Sequence, residues 1–203
     1  MSTSIRLDKR DLILAKGAHL MTRRGYHGTG VLEIVQAAGI PKGSFYHYFA
    51  SKEDFAVQAL EHLYEPRLLR YAAALSEPAL GPRERVLSFY RELVVHFSRQ
   101  EKPEYHCFIG SLSFEMADDC QPIARQVENI LERSVAILAQ CLMEARDAGE
   151  LQRHTDCSAL AEFIANAWEG ALMRMKVRGS AASLDVFLNQ LERLLAPGTP
   201  DID

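Results

Sequence analysis

The chain has 203 residues, 48% of them hydrophobic and 25% charged, with a formal net charge of −4. That is enough apolar material for a sizeable core, which excludes a disordered chain, and the same charge spread evenly would exclude a polyanionic partner. The charge is uneven: residues 1–52 hold eight Lys/Arg against three acids, a balance of +5, and the remainder holds 15 against 24, a balance of −9, so a basic head and an acidic body are predicted.

Apolar residues recur at spacings of three and four along nearly the whole chain, which predicts an all-α protein of about nine helices. The first runs from about Asp8 to Arg24, burying Ile13, Leu14, Gly17, Ala18, Leu20 and Met21, and closes on Arg23 and Arg24 before Gly25. The second starts after Thr29 or Gly30 and buries Val31, Ile34, Val35 and Ala38. Gly39, Ile40 and Pro41 separate it from a third, so the pair is a helix-turn-helix candidate. At 100° per residue, Phe45 and Phe49 of the third helix face inward while Gly43, Ser44 and His47 lie opposite, flanked by Lys42, Tyr46 and Tyr48. Ser51 caps the fourth helix with Asp54 as its acidic partner, and Pro66 is expected to bend or interrupt that helix. It connects a head of residues 1–52 to a body of residues 53–203.

After the loop SEPALGP, the body holds five further helices: one around Val86 to Phe97, a short one in YHCFIGSLSFEM, a long one from about Pro122 to Ala148, one starting near Thr155 or Asp156, and one starting near Ser183. The last two, with Gly170 and Ala171 permitting close approach and a stripe from Leu184 to Leu195, suit a four-helix dimer interface.

A helix-turn-helix reads DNA by laying its second helix in the major groove. Gly43 lets the backbone come close, Lys42 and Ser44 donate hydrogen bonds, and Tyr46, His47 and Tyr48 lie against sugar, base or phosphate. Lys52 and the N–H groups opening the fourth helix form a phosphate site. A small three-helix core with an aromatic surface is the plain structural alternative. The run GTGVLEIVQAAGIPKGSFYHYFASKEDF, residues 28–55, closely resembles the DNA-binding head of the TetR family of bacterial repressors. The resemblance implies an all-helical homodimer on a palindromic operator, released by a small-molecule effector. It also implies DNA contacts by Lys42, Gly43, Ser44, Tyr46, His47, Tyr48 and Lys52, with Thr29 near a phosphate.

Two stretches of the body, YHCFIGSLSFEMA and WEGALMRMKV, resemble the branch of that family that answers acrylate, N-ethylmaleimide and quinones. By that resemblance Cys107, followed by Phe108, is the candidate sensor. A thiolate adds to activated alkenes and quinones, and His106 or the helix start would favour the thiolate. A buried, inert thiol is the alternative. Trp168 and Arg174 are candidates to line an effector cavity, or Trp168 to serve core or interface, and Glu115 is a further polar candidate or a solvent-facing acid. The four cysteines, Cys107, Cys120, Cys141 and Cys157, show no C-x-x-C or zinc spacing, so reduced thiols, no metal and no cofactor are expected. An enzyme using His106, Cys107 and Glu115 is disfavoured because adjacent helical residues point about 100° apart. A dimeric DNA-binding protein without an effector is the other alternative. MSTSIRLDKRDL has no apolar signal core, and no run reaches the roughly 18 apolar residues of a membrane helix, so a soluble cytoplasmic protein without membrane contact is expected.

Overall fold

A computed structural model describes residues 9–100 and 107–196. Among the described residues there are nine α-helices and no strand: α1 (Lys9–Arg24), α2 (Val31–Ala37), α3 (Phe45–Tyr48), α4 (Lys52–Leu75), α5 (Pro82–Ser98), α6 (Phe108–Met116), α7 (Gln121–Asp147), α8 (Cys157–Arg178) and α9 (Ala182–Leu194). The chain divides into two compact units, Met1–Arg67 with His106–Leu131, and Leu68–Tyr105 with Glu132–Asp203. The breaks between these units fall inside α4, just past Pro66, and inside α7.

In the first unit, α1 buries Ile13, Leu14, Gly17, Ala18 and Met21, with Leu20 half-buried. Phe45, Phe49 and Phe55 form a triangle with ring centroids 5.1, 5.7 and 5.2 Å apart, all fully buried. Burying each ring contributes about 1.5–3 kcal/mol, and the tilted and edge contacts add to this, so the triangle pins the turn after α2 to α4. Gly39 makes that turn at φ +67°, a conformation that would strain any residue with a Cβ. The expected third helix is shorter and tighter than its periodicity suggests: Lys42–Ser44 is a 3₁₀ turn that passes into the single α-turn of α3. On α6 the buried face comprises Phe108, Ile109, Leu112 and Met116. The start of α7 adds Ile123, Val127 and Ile130 to the buried residues.

Two local expectations change. Pro66 lies inside an uninterrupted α4, which loses the backbone bond from position 66 to the His62 carbonyl but does not break there. At α4's start, the Asp54 N–H donates to Ser51 Oγ at 3.1 Å while the Asp54 carboxylate accepts the Ala50 N–H at 2.8 Å, so the reciprocal bond reaches one residue further back than a capping box.

The second unit has its own core, drawn from Val86, Leu87, Tyr90 and Val94 of α5, Leu138, Leu142 and Ala145 of α7, Ile164, Leu172 and Met175 of α8, and Leu184, Phe187 and Leu191 of α9. Asp156 caps α8, its Oδ1 accepting the N–H groups of Ser158 and Ala159, both at 3.1 Å. Arg91 on α5 bonds Glu84 at 2.7 Å and Glu192 of α9 at 2.9 Å. Burial of Leu184, Phe187, Leu191 and Leu195 corrects the expected interface: this stripe packs inside its own unit. The apolar surface of α8 and α9 is carried instead by Phe163, Met173, Val177, Val186 and Leu194.

Candidate functional site

The segment from Pro41 to Lys52 is organised by its buried phenylalanines. With Phe45 and Phe49 at 0% and 1% exposure, the residues before and between them turn outward: Lys42, Gly43 and His47 are exposed, Tyr46 is 59% exposed, and Ser44 and Tyr48 are half-buried. His47 and Tyr48 stack edge to face, centroids 4.9 Å apart, which orders the outer rings without a core of their own. A Cβ on Gly43 would meet nothing within 4 Å, so its backbone is open to a close partner. The result is one polar, aromatic, basic face on a rigid apolar footing.

Lys52, the first residue of α4, is half-buried, with its ammonium 4.0 Å above the centre of the Tyr26 ring. Burial lowers the lysine's pKa, opposed by the carboxylates of Glu53 and Glu115. Tyr26 is itself buried, and its hydroxyl donates to Glu53 Oε1 at 2.8 Å. Burial first, and then Glu53, push the tyrosine's pKa well up, so it remains a neutral donor. Sequence reasoning missed Tyr26, because a single aromatic in the loop after α1 has no periodic context; the only signal was its place directly after the stop Arg23-Arg24-Gly25.

Thr29 was expected near a phosphate. It is 1% exposed; its hydroxyl donates to the Gly25 carbonyl at 2.8 Å and its N–H to the Tyr26 carbonyl at 3.3 Å. Its side chain holds the α1–α2 loop closed. Beside it, Glu33 accepts the Gly30 N–H at 2.9 Å and pairs with Arg24 at 2.7 Å.

Cys107 lies not within α6 but at its N-cap, where Sγ accepts the Gly110 N–H at 3.2 Å. The next free donor of this helix end, the Ile109 N–H, goes to the Tyr64 hydroxyl oxygen at 3.3 Å, and that hydroxyl is within hydrogen-bonding reach of the sulfur. Cysteine and tyrosine together therefore satisfy N–H groups that a helix start leaves unpaired. Of the four cysteines Cys107 is half-buried and the other three are buried. Cys141 donates to the Pro82 carbonyl at 3.2 Å and burial pushes its thiol up to about 11; burial raises Cys157 as well. Phe108 is 1% exposed and belongs to the core. His106, expected to tune the thiol, lies outside the described residues.

Glu115, on the last turn of α6, accepts the Ser111 hydroxyl at 2.9 Å and the His27 N–H at 3.0 Å. Burial alone would raise its pKa, but the hydrogen bonds from the His27 N–H, the Ser111 hydroxyl and the Tyr26 N–H hold it below the usual carboxylate value. These partners are on the α1–α2 loop and α6, which places Glu115 at a structural joint of the first unit.

The two remaining candidates are in the second unit. Trp168 packs with Tyr90 and Phe187, centroids 5.2 and 5.1 Å away, as the third ring of a core cluster. Arg174 is exposed and lines a groove of about 640 Å³ between α8 and α9, with Phe163, Gly170, Val186 and Leu194. No group of three or more His, Cys, Asp or Glu side chains gathers among the described residues, and no helix there is long and apolar enough to cross a membrane.

Residues 13–59 match the family described as bacterial regulatory proteins, tetR family, and residues 82–191 match the tetracyclin repressor-like C-terminal domain. The HTH-type transcriptional repressor DhaR of Mycobacterium sp. (strain GP1) is 30% identical over 95% of each chain. The transcriptional regulator AcuR of Cereibacter sphaeroides is 35% identical over 81% of this chain and 75% of its own. The crystal structure of the reduced form of E. coli NemR is 30% identical and superposes with a TM-score of 0.85 over 94% of this chain and all of that one. With both of its regions matched, and with a helix-turn-helix followed along the chain by a helical body, the chain belongs to the TetR family of bacterial transcriptional regulators and is not an enzyme.

Proposed function

We propose that the protein is a dimeric repressor that binds a palindromic operator and is released when a small electrophilic or unsaturated organic compound reacts with Cys107. The observation that carries the DNA half is the outward face of Lys42, Gly43, Ser44, Tyr46, His47 and Tyr48 over the buried Phe45 and Phe49. Residues 1–52 form the reading head on this account, residues 53–203 the sensing and dimerising body, and α4 the connector. Lys42 and Ser44 donate to base edges or phosphate, the three rings close on sugars and thymine methyls, and Lys52 meets a phosphate. Two heads then occupy major grooves about 34–36 Å apart, so the dimer's geometry decides affinity.

The effector half rests on Cys107, since Trp168 is committed to the aromatic cluster and Phe108 to the core. A sulfur at the N-cap has N–H donors to rest against when anionic, and it is the most exposed of the four thiols. The thiolate attacks the β-carbon of an activated alkene; a C–S bond forms, the C=C π pair moves to the α-carbon, and water supplies the proton there. The thioether that results is bulkier and a poorer acceptor, so the first turn of α6 loses its cap. A ligand shifts the operator equilibrium only by its preference for the released conformation, and breaking this cap is that preference.

The test is binding to a labelled duplex that the wild-type chain selects from a random-sequence pool, with and without N-ethylmaleimide, acrylate or a quinone, alongside intact-mass measurement. Release of the wild-type protein together with a single adduct on Cys107, and retained binding by Cys107→Ser, are expected. Release of the serine variant by the same compounds would overturn the thiol mechanism, and failure of the wild-type protein to select any duplex would overturn the repressor reading.

A further inference from the structure

The carboxylate of Glu115 is an unusual neighbour for a DNA-binding head. It comes from α6, yet it lies so close to the end of α1 that a Cβ on Gly25 would stand 2.5 Å from its Oε1. Gly25 is at φ +81°, so the loop turns there with the room that only a glycine leaves. From this point three consecutive residues are fixed together. The Gly25 carbonyl takes the Thr29 hydroxyl, the Tyr26 N–H points at Glu115, and the His27 N–H donates to Glu115 Oε2 at 3.0 Å. Tyr26 is the middle member, and its side chain reaches the start of α4. There the ring supports the Lys52 ammonium at 4.0 Å and the hydroxyl grips Glu53 at 2.8 Å.

We infer that Glu115 and Tyr26 are positioning residues for the phosphate contact of Lys52: α6 sets the place of that ammonium through the loop Gly25–His27. The inference rests on the proposed role of Lys52 in DNA binding and adds how that interaction is controlled. A quadrupole beneath a cation is directional, so a displaced ring takes the ammonium with it or leaves it to water. Glu115 is anchored on its own helix by Ser111, one turn earlier, so any shift of α6 moves the carboxylate and its loop as a unit. The same helix carries Cys107 at its other end, within nine residues of chain. A plain structural role, in which Glu115 only stabilises the loop, would leave unchanged how many phosphates the dimer neutralises.

That difference is measurable as the slope of log affinity against log salt, whose magnitude falls by about 0.9 for every phosphate the protein no longer neutralises. Using the duplex selected by the wild-type chain, Lys52→Gln is expected to reduce the slope by about two for a dimer with two heads. Glu115→Ala is expected to weaken binding about tenfold and to shift the slope in the same direction, and the double variant is expected to bind no more weakly than Lys52→Gln alone. Glu115→Gln, which keeps an acceptor for the His27 N–H, is expected to retain the wild-type slope. A wild-type slope in Glu115→Ala, or deficits that add in the double variant, would overturn the inference. Should Glu115→Ala lose its helical circular dichroism, Tyr26→Phe and Tyr26→Leu decide: the first keeps a ring under Lys52 and the wild-type slope, the second loses both, and equal slopes overturn the inference. A wild-type chain that selects no duplex removes the DNA-binding reading and this inference with it, whereas a wild-type chain that binds leaves only the coupling in question.

Discussion

Glu53 shows how one side chain joins stability to the candidate interface. The Ser51 hydroxyl, its own N–H and the Tyr26 hydroxyl all bond its carboxylate, and these hold its pKa below the usual value of 4.5. Glu115 is depressed as well, after burial has been outweighed by the His27, Ser111 and Tyr26 donors. A carboxyl whose folded pKa lies below its unfolded one stabilises the fold fully above the unfolded value, and that contribution is lost as pH falls through the folded value. The urea midpoint of the wild-type protein is therefore expected to drop as the pH falls below about 5, and that of Glu53→Gln is expected to drop less. Midpoints at several pH values check this; parallel curves for the two proteins would show that Glu53 is not depressed. At this scale the sequence was most readable where a side chain had one job. Phe45 and Phe49, one turn apart, went inward and Lys42 and Tyr46 outward because the apolar rings are the only side chains of this segment that gain by leaving water completely. The backbone bonds of Thr29 and Glu115 were not legible, since a polar side chain beside a turn can face solvent or satisfy a backbone group, and only the neighbouring elements decide which.

Among the elements, α4 departs most from its sequence pattern. Its Pro66 removes a donor and crowds the turn before it, yet the helix continues to Leu75. A proline in a helix interior costs about 3 kcal/mol, so Pro66→Ala is expected to raise stability by up to about that amount. Thermal unfolding measures it, and an unchanged or lower midpoint would mean that packing at Pro66 has replaced the missing bond. A similar tension explains α3. The pattern of Phe45 and Phe49 is helical, but Pro41 and Gly43 at its start favour a tight turn, so the segment opens as a 3₁₀ turn. For α6 the sequence located the helix but put Cys107 inside it; the sulfur instead takes the capping place, because Gly110 leaves its N–H open to it at 3.2 Å.

For the whole molecule, the apolar groove between α8 and α9 is what a dimer would use. Phe163, Met173, Val177, Val186 and Leu194 are exposed there or beside it, while Ser183 Oγ donates to the Ala171 carbonyl at 2.9 Å and holds the two helices together beneath. Val186→Asp puts a charge on this surface without touching the core, so it is expected to leave the helical content unchanged and turn a dimer into monomers in sedimentation equilibrium. Operator affinity is expected to fall by about 10²-fold or more, because the second head no longer binds at the effective concentration set by the first. A stable dimer of this variant would move the interface elsewhere.

Helical periodicity, the charge divided between residues 1–52 and the rest, and the run from Gly28 to Phe55 determined the all-α class, the helix-turn-helix and its outward residues without any coordinates. Periodicity and motif are local properties, set by spacing within a few turns, and the charge balance is a sum that needs no contact between distant residues. Which apolar stripe of α9 is core and which is surface was decided only by the tertiary structure. Both stripes have helical spacing, and only the positions of α5 and α8 determine that Leu184, Phe187, Leu191 and Leu195 are covered while Val186 and Leu194 are not. The same holds for Tyr26 beneath Lys52 and for Glu115 beside Gly25. Their partners lie 26 and 90 residues away in the chain, and no local pattern carries a contact across such a distance.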